Sequence, residues 1–229
     1  MIISHRHKFI FIKLRKAAGT SLEIALSGIC GKNDIITPIS KEDEEVRTRL
    51  GHMGPQNFFV PKKYYKTKEW KRLIINGQQA LFYNHISAQE IKDLIPQKIW
   101  NSYYKFCFER NPWDKVISHY HHRNRKGNFN TIMDYLLHDK GDAIRGYDMY
   151  TDDDDVLVDK IYRYEEMDQA LPELANTLGL NDPLFMPDHR AKSQYRQDKR
   201  NYREILSKEE ADFIAKRFER EIKLMGYQY

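Results

Sequence analysis

Residues 13–21 combine cations, small residues and hydroxyls in an order suited to binding an anion. They read Lys-Leu-Arg-Lys-Ala-Ala-Gly-Thr-Ser and separate an apolar run, Phe9–Ile12, from apolar positions 22, 25, 26 and 29 that share one helical face. A strand, a short turn and a helix N-terminus expose unpaired backbone N–H groups and the positive end of the helix dipole. Because Arg15 and Lys16 add full charges, the segment is predicted to bind a phosphate-like group.

The loop matches neither of the common glycine patterns for nucleotides. A Walker motif needs a glycine, four residues and then Gly-Lys-Ser/Thr, whereas here Lys16 precedes Gly19, the single glycine of the loop. One glycine is also too few for a dinucleotide fingerprint. Thr20 and Glu23 have the spacing of a capping box, which predicts a helix start near Thr20. An ordinary strand–helix connection with solvated basic residues is the alternative.

A second candidate anion site joins Arg110 to Ser118. Residues 103–109 are predicted to form a strand, and Asn111 and Pro112 suit the N-cap and the first position of the following helix. The guanidinium fork of Arg110 and the hydroxyl of Ser118, eight residues later, are able to hold one phosphate together. A surface salt-bridge arginine and a solvent-facing serine are the alternative.

The order of the predicted elements indicates an α/β fold with a central, mostly parallel sheet flanked by helices. Strands are predicted at 9–12, 80–83 and 103–109, and a helix follows each of them. The basic loop, His85 and Arg110 come after these three strands. Ligands of parallel sheets bind at the carboxyl ends of the strands, so the three segments are expected to converge at one edge.

Several other segments have recognisable patterns. Residues 40–50 suit a solvated helix, 128–138 suggest another, and Ser87 with Glu90 predicts a capped helix at 87–95. Residues 146–150 and 156–164 are predicted to be strands about an acidic turn at 152–155. Helices are predicted at 167–178 and 207–225, ended by Gly179 and Gly226. Region 33–78 is left unassigned, as a lid, a substrate loop or an irregular excursion.

Composition limits the class of protein. The 229 residues include 38 Lys and Arg against 33 Asp and Glu, a net charge of +5. We expect one domain, 1–229, that binds an anion but no nucleic acid. Cys30 and Cys107 are too few for a disulfide framework, and Cys107 is predicted to be a buried thiol. No apolar stretch approaches ~20 residues and the first residues run straight into a strand, so a cytoplasmic protein without a membrane span or signal peptide is expected.

Together, the two anion segments resemble those of PAPS-dependent sulfotransferases, in the carbohydrate-type and bacterial branch of that family. Residues 15–22, Arg-Lys-Ala-Ala-Gly-Thr-Ser-Leu, look like the 5′-phosphosulfate loop, usually Pro-Lys-Thr-Gly/Ala-Gly-Thr-Ser. Residues 108–118 look like the 3′-phosphate motif, with the arginine and serine at the family's spacing. Residues 163–165, Arg-Tyr-Glu, and 83–86, Tyr-Asn-His-Ile, are similar to a third segment and to the segment of the catalytic base. The chain departs from the family pattern at Arg15, Ala17 and Asn84.

The resemblance implies a P-loop-like sulfotransferase fold and the donor 3′-phosphoadenosine-5′-phosphosulfate (PAPS), with 3′-phosphoadenosine-5′-phosphate (PAP) as product and no metal. The sulfuryl group would pass in line to a hydroxyl, carbohydrate hydroxyls included, or to an amine. Lys16 would neutralise the leaving phosphate, and His85 would take the acceptor's proton. Arg110 and Ser118 would bind the 3′-phosphate, while Lys13 falls outside the motif as a strand-end surface charge. The 5′-phosphate would lie in the loop formed by Arg15, Lys16, Ala17, Ala18, Gly19, Thr20 and Ser21.

For several residues, and for the function itself, an alternative interpretation stays open. His85 has a structural role as its alternative, and His52 is a weaker candidate for the base. Substrate contact or solvent exposure is expected for three histidines that lack the partners of a metal site: His119, His121 and His122. A basic loop is expected to close over the nucleotide, steer an anionic acceptor or stay solvated, and it contains Lys192, Arg196, Lys199 and Arg200. A non-catalytic nucleotide-binding module on the same fold and a P-loop kinase are the rival functions, although the chain lacks the kinase's Walker lysine and the Mg²⁺-binding hydroxyl after it.

Overall fold

A five-stranded sheet forms the centre of the protein. The computed structural model describes residues 1–138, 144, 146–187, 198 and 200–229. Its strands are β1 (Ile2–Ser4), β2 (Phe9–Ile12), β3 (Ile35–Ile36), β4 (Tyr104–Glu109), β5 (Thr151–Asp152), β6 (Asp155–Val156) and β7 (Lys160–Arg163). The sheet has the order β3-β1-β2-β4-β7, and β5 and β6 form a separate hairpin.

Strand direction confirms the predicted α/β fold. β1 is antiparallel to β2 and to β3, while β4 is parallel to both β2 and β7. Four of the five strands therefore point the same way, and the carboxyl ends of β2 and β4 lie side by side at one edge. The basic loop and Arg110 begin at this edge, as expected from their positions after the two strands.

Helices cover the sheet and extend beyond it. Those in the described residues are α1 (Gly19–Ser27), α2 (Lys41–Arg49), α3 (Thr67–Asn76), α4 (Ala88–Leu94), α5 (Gln97–Ser102), α6 (Pro112–Arg123), α7 (Ile132–His138), α8 (Tyr147–Tyr150), α9 (Met167–Thr177), α10 (Tyr202–Ile205), α11 (Lys208–Arg217) and α12 (Glu219–Met225). α1 follows β2 and α6 follows β4, so each begins close to the carboxyl edge of the sheet. The Ser87–Glu90 capping box, the Asn111 N-cap and Pro112 at the start of α6 are confirmed.

The core has two parts, one on the sheet and one beneath α6. β2 is buried along its whole length, and Phe106 of β4 packs its ring against those of Phe9, Phe11 and Tyr162. Such continuous apolar runs suit strands that are covered on both faces. Cys107 is fully buried, as predicted. The second part is formed by Trp113, Val116, Ile117, Tyr135, Leu136, Ile214 and Phe218.

Three predicted elements are wrong. Residues 80–83 do not join the sheet, because Leu81 instead forms an isolated antiparallel bridge with Phe59. Residues 147–150 form the short helix α8 rather than a strand, since the Met149 N–H donates locally to the Gly146 carbonyl at 2.9 Å. The single helix predicted at 207–225 is two, because Phe218 leaves helical geometry (φ −110°, ψ 27°) while its side chain is buried in the second core.

Candidate functional site

A cleft of about 230 Å³ opens at the carboxyl edge of the sheet. Of the described residues that line it, four are cationic and none is acidic, so the cleft suits a polyanion. The residues that line it are Lys13, Leu14, Arg15, Lys16, Ala18, Gly19, Thr20, Ser21, His85, His119, His122 and Arg123. The basic loop and His85 are therefore brought together as predicted, although His85 does not follow a strand of the sheet.

The loop turns sharply before α1 begins. Lys16 and Ala18 both have left-handed backbone conformations, with φ of 62° and 55°. α1 starts at Gly19 with Ala18 as its N-cap, so residues with small or absent side chains surround the first turn. A Cβ added to Gly19 would lie 2.7 Å from Lys13 Cγ and 3.0 Å from the Leu14 carbonyl oxygen, which leaves space only for glycine. The first N–H groups of a helix lack partners within the helix and favour an anion there.

Glu23 does not close a capping box with Thr20, which corrects the sequence prediction. Its carboxylate is fully buried and accepts hydrogen bonds from Lys13 Nζ at 2.7 Å and from the α-amino group of Met1 at 2.9 Å. Burial opposes ionisation, but these two partners outweigh it and lower the pKa of Glu23 to about 2. Burial likewise lowers the pKa of the Met1 amino group, to about 5, so Lys13 is the firmer cation of the two. Arg47 Nη2 lies 3.7 Å from the same carboxylate. Glu23 is thus the anion that balances a cluster of buried cations.

The sequence predicts Lys13 to be a strand-end surface charge, and this prediction is wrong. Its side chain is about 1% exposed and passes beneath the first turn of α1 to reach Glu23. Its carbonyl oxygen accepts a hydrogen bond from His85. Nothing in the local sequence distinguishes Lys13 from a solvated lysine, because its burial follows from the buried carboxylate of Glu23, ten residues later.

His85 is fixed in one tautomer by its hydrogen bond. Its Nδ1–H donates to the Lys13 carbonyl oxygen at 2.9 Å, and a carbonyl oxygen only accepts. In the neutral ring Nε2 therefore carries a lone pair. Burial, and after it the Lys13 cation, lower the pKa of His85 to about 3. The residue has a left-handed backbone (φ 63°). The hydrogen bond and the low pKa together keep its ring neutral at the cleft, with Nε2 as the acceptor atom.

His119 is a second imidazole of the cleft, and its side chain is buried. It is 3% exposed, so the solvent exposure considered for it is wrong. Its Nδ1 lies 2.5 Å from the Tyr135 hydroxyl oxygen. Burial, followed by the cation of Lys16, lowers the pKa of His119 to about 3. His119 and His122 stand together at the cleft, with ring centroids 6.3 Å apart, and the helical spacing of the two residues is the sequence signal for this.

Arg110 contacts the basic loop but does not line the cleft. Nη1 donates to the Lys16 carbonyl oxygen at 3.0 Å, while Nε and Nη2 donate to Asp114 Oδ2 at 2.8 and 2.6 Å. The Tyr164 ring packs on the guanidinium, 4.4 Å from its centre. A guanidinium has five N–H donors, so two of them make no hydrogen bond within the described residues. Asp114 and Tyr164 were not predicted as site residues.

The third predicted segment, residues 163–165, packs against the Arg110 segment. Glu165 Oε1 accepts the backbone N–H of Asn111 at 2.7 Å, and Arg163 donates to the Met225 carbonyl. Tyr164 covers Arg110, as described above. The motif similarity of this segment therefore corresponds to a role in holding the loop that precedes α6.

The other predicted site residues lie in several places. Ser118 is half-buried on α6 and outside the cleft lining, and Ala17 is buried beneath the loop. His52 donates from Nδ1 to the Ile24 carbonyl at 2.8 Å, away from the cleft. Arg123, which no pattern singled out, lines the cleft from the end of α6. Lys192, Arg196 and Lys199 lie outside the described residues, and Arg200 forms an exposed ion pair with Asp198.

The described ranges also bear on metal binding and on membrane insertion. Among those residues, no group of three or more His, Cys, Asp and Glu side chains is arranged to hold a metal ion. None of the helices described there has the length and apolar character that crossing a bilayer requires.

Comparison with known proteins finds a family match for this chain. A model described as "Sulfotransferase family" matches residues 1–228. An uncharacterized protein of Archaeoglobus fulgidus is 31% identical over 125 residues, which is 52% of this chain and 98% of that protein. The crystal structure of mouse sulfotransferase SULT7A1 complexed with PAP aligns with 96% of this chain and 85% of its own, at 15% identity and a TM-score of 0.49.

Proposed function

The chain belongs to the sulfotransferase family, and from this premise we propose that it transfers the sulfuryl group of PAPS to a hydroxyl or amine acceptor. The observation that supports the proposal is that one cleft holds both a cationic loop at the start of a helix and a neutral imidazole whose Nε2 carries a lone pair. A saccharide hydroxyl is the favoured acceptor, because the segment around His85 resembles that of the carbohydrate-type branch.

The loop would hold the 5′-phosphate of the donor. The backbone N–H groups at the start of α1 and the hydroxyls of Thr20 and Ser21 are the donors, and Arg15 adds positive charge. Arg110 ties the loop through the Lys16 carbonyl and retains two N–H groups for the 3′-phosphate. Ser118, two helical turns into α6, would share that phosphate. Lys192 and Arg196 would close over the bound nucleotide.

The reaction would be an in-line displacement at sulfur. The acceptor oxygen or nitrogen forms a bond to sulfur while the bond from sulfur to the 5′-phosphate oxygen breaks. The acceptor's proton passes to His85 Nε2, and the electron pair of the broken bond stays with PAP. Lys16 stabilises the charge that builds on that leaving phosphate, an effect that is usually the largest catalytic contribution.

The low pKa of His85 in the free protein fits this role once an anion is bound. Burial and the cations of Lys13 and Arg15 depress it, and the negative charges of the donor would offset the cations. We therefore expect the pKa of His85 to rise when PAP binds. An NMR titration of the His85 ring, with and without PAP, measures this; an unchanged or lower pKa would contradict the proposed role.

The proposal is tested first by calorimetry of PAP and ADP binding in the presence of EDTA. PAP should bind more tightly than ADP, because only PAP carries the 3′-phosphate. Arg110→Ala should weaken PAP binding far more than ADP binding. Equal or tighter binding of ADP, or loss of binding with EDTA, would refute nucleotide recognition of this kind.

Turnover separates the enzyme from a non-catalytic nucleotide-binding module. Radiolabelled PAPS is incubated with saccharide and amine acceptors, and the labelled product is counted. His85→Ala should lower the rate by about 10²–10⁴-fold, the usual contribution of a general base, while PAP binding is retained. Full activity of His85→Ala would assign the base to another residue, and PAP binding without turnover of any acceptor would favour the non-catalytic module.

A further inference from the structure

The helix α3 has no buried residue. Leu73 is half-buried and Trp70 packs against Tyr65, but Ile74 and Ile75 are 78% and 66% exposed. Single exposed apolar residues are normal in folded proteins. A ten-residue helix without any buried residue needs an explanation, because helices of this length depend on tertiary packing for their stability. α3 therefore presents apolar side chains for which the described protein supplies little cover.

Cations surround these isoleucines. The short stretch from residue 62 to residue 72 contains one acidic residue, Glu69, whose carboxylate accepts the Lys66 backbone N–H at the start of α3. Lys66 itself pairs with Asp93 at 2.6 Å. The remaining cations are exposed, and they are Lys62, Lys63, Lys68, Lys71 and Arg72. The outer surface of α3 thus alternates isoleucine with positive charge.

The stem that carries α3 continues the apolar surface. Phe59 and Leu81 are directly opposed in an antiparallel bridge and are 55% and 40% exposed, so they share one face of the stem. Tyr83, 44% exposed, follows. We call α3 and this stem the basic apolar surface. It leads along the chain to His85, which lines the cleft, only two residues after Tyr83.

We propose that the basic apolar surface binds an anionic lipid bilayer. Helices that lie in a membrane interface combine exposed Trp and aliphatic residues with Lys and Arg, whose stems reach toward lipid headgroups. A second copy of this chain is disfavoured, because a twofold contact would set the same cations against each other. Charge complementarity thus selects a negative surface, and the apolar side chains select one with an apolar interior. The proposal concerns binding alone and stands whether or not the cleft transfers a sulfuryl group.

Vesicle sedimentation of the full chain tests this proposal. The wild-type protein should bind vesicles of phosphatidylcholine mixed with phosphatidylserine, bind phosphatidylcholine alone weakly, and lose binding as NaCl is raised. The triple variant Lys68→Gln, Lys71→Gln, Arg72→Gln should weaken binding on the order of 100-fold, since each cation near an anionic membrane contributes about fivefold. Ile74→Ser with Ile75→Ser should also weaken it, at every salt concentration.

A matched control comes from α12, where Lys223→Gln with Leu224→Ser changes one exposed cation and one 41%-exposed apolar residue. This control should bind as the wild type does, and thermal unfolding should be unchanged in all variants because the altered residues are exposed. Three results would each overturn the proposal: equal binding to neutral vesicles, equal loss in the control, or no loss in either α3 variant. Sedimentation velocity adds a fourth: a wild-type dimer that Ile74→Ser with Ile75→Ser makes monomeric assigns the surface to a second copy.

Discussion

Two imidazoles, the half-buried His85 and the buried His119, share the cleft with the cation of Lys16. Each has its pKa lowered to about 3, in both cases chiefly by burial. The rings are therefore uncharged at neutral pH, and the positive charge of the cleft resides on lysine and arginine. An anion that enters the cleft therefore meets fixed cations and two uncharged imidazole rings.

His119 should make the stability of the protein depend on pH. Between about pH 6.5 and 3 the unfolded chain binds a proton at this residue and the folded chain does not. The free energy of unfolding should therefore fall as the pH drops below about 6.5. His119→Gln removes this titration, so the variant should lose less stability between pH 7 and 4.5 than the wild type, as measured by urea unfolding across that range.

Tyr135→Phe is the control for this measurement, because it removes the hydroxyl that contacts His119 but keeps the imidazole. Its profile should run parallel to that of the wild type. Loss of the contact with Tyr135 shifts the His119→Gln curve at every pH but does not alter its slope. A His119→Gln curve parallel to the wild type would therefore contradict the buried, uncharged state of His119.

Lys16 tests the proposed charge stabilisation directly. Lys16→Met should lower kcat for sulfuryl transfer on the order of 10²–10³-fold, the usual cost of one lost group that stabilises developing charge. The Kd for PAP should change less, because part of the charge on the leaving phosphate develops only during the reaction. Lys32→Met, which removes an exposed cation elsewhere, should leave kcat unchanged. If Lys16→Met raises KM and leaves kcat unchanged, Lys16 contributes to substrate binding and not to stabilising the leaving phosphate.

The positions of the elements explain which parts of the site were predictable. The shared edge at which the segments after β2 and β4 begin could be predicted, because apolar runs mark buried parallel strands and their carboxyl ends meet at one edge. The run at 80–83 has the same appearance but pairs with Phe59, and local periodicity carries no information about the partner. Lys13 was misassigned for a similar reason: its burial depends on Glu23, whose carboxylate reaches it only in the folded chain.

Gly146 is where three elements meet through buried charges. A Cβ at this position would lie 2.7 Å from Glu109 Oε2, 2.8 Å from Glu221 Oε1 and 2.9 Å from Lys115 Nζ. These side chains come from β4, α12 and α6, and Lys115 Nζ also donates to Glu109 Oε1 at 2.7 Å. The absence of a side chain at Gly146 therefore allows the end of β4 to hold both helices.

Gly146→Ala should lower the free energy of unfolding by about 1–3 kcal/mol, as other insertions of a methyl group into packed interiors do. The added carbon would separate Lys115 from the carboxylates that it neutralises. Gly54→Ala is the matched control, because a Cβ there meets nothing within 4 Å; it should be neutral or slightly stabilising. Urea unfolding of both variants measures the difference, and equal stabilities would show that the buried charges move aside at no cost.

The fold and the cleft are joined through one buried carboxylate. Glu23 on α1 contacts Lys13 after β2, Arg47 on α2, Thr37 after β3 and the amino group of Met1 before β1. Lys13 in turn accepts the hydrogen bond that orients His85. The same charge network therefore fixes the sheet edge against two helices and sets the ring of the proposed base.

Glu23→Gln should destabilise the protein by about 3–5 kcal/mol, because removing one partner leaves buried cations uncompensated. Glu23→Leu with Lys13→Met should recover part of that loss, since two apolar residues replace the pair. The double variant should still lose activity. The backbone carbonyl of residue 13 orients His85, and in this variant the ion pair with Glu23 no longer holds that backbone in place. Urea unfolding gives the two stabilities and PAPS turnover gives the rates. A double variant with full activity would show that the backbone around Lys13 holds His85 without the charge network, and a stable Glu23→Gln protein would show that water reaches the cluster.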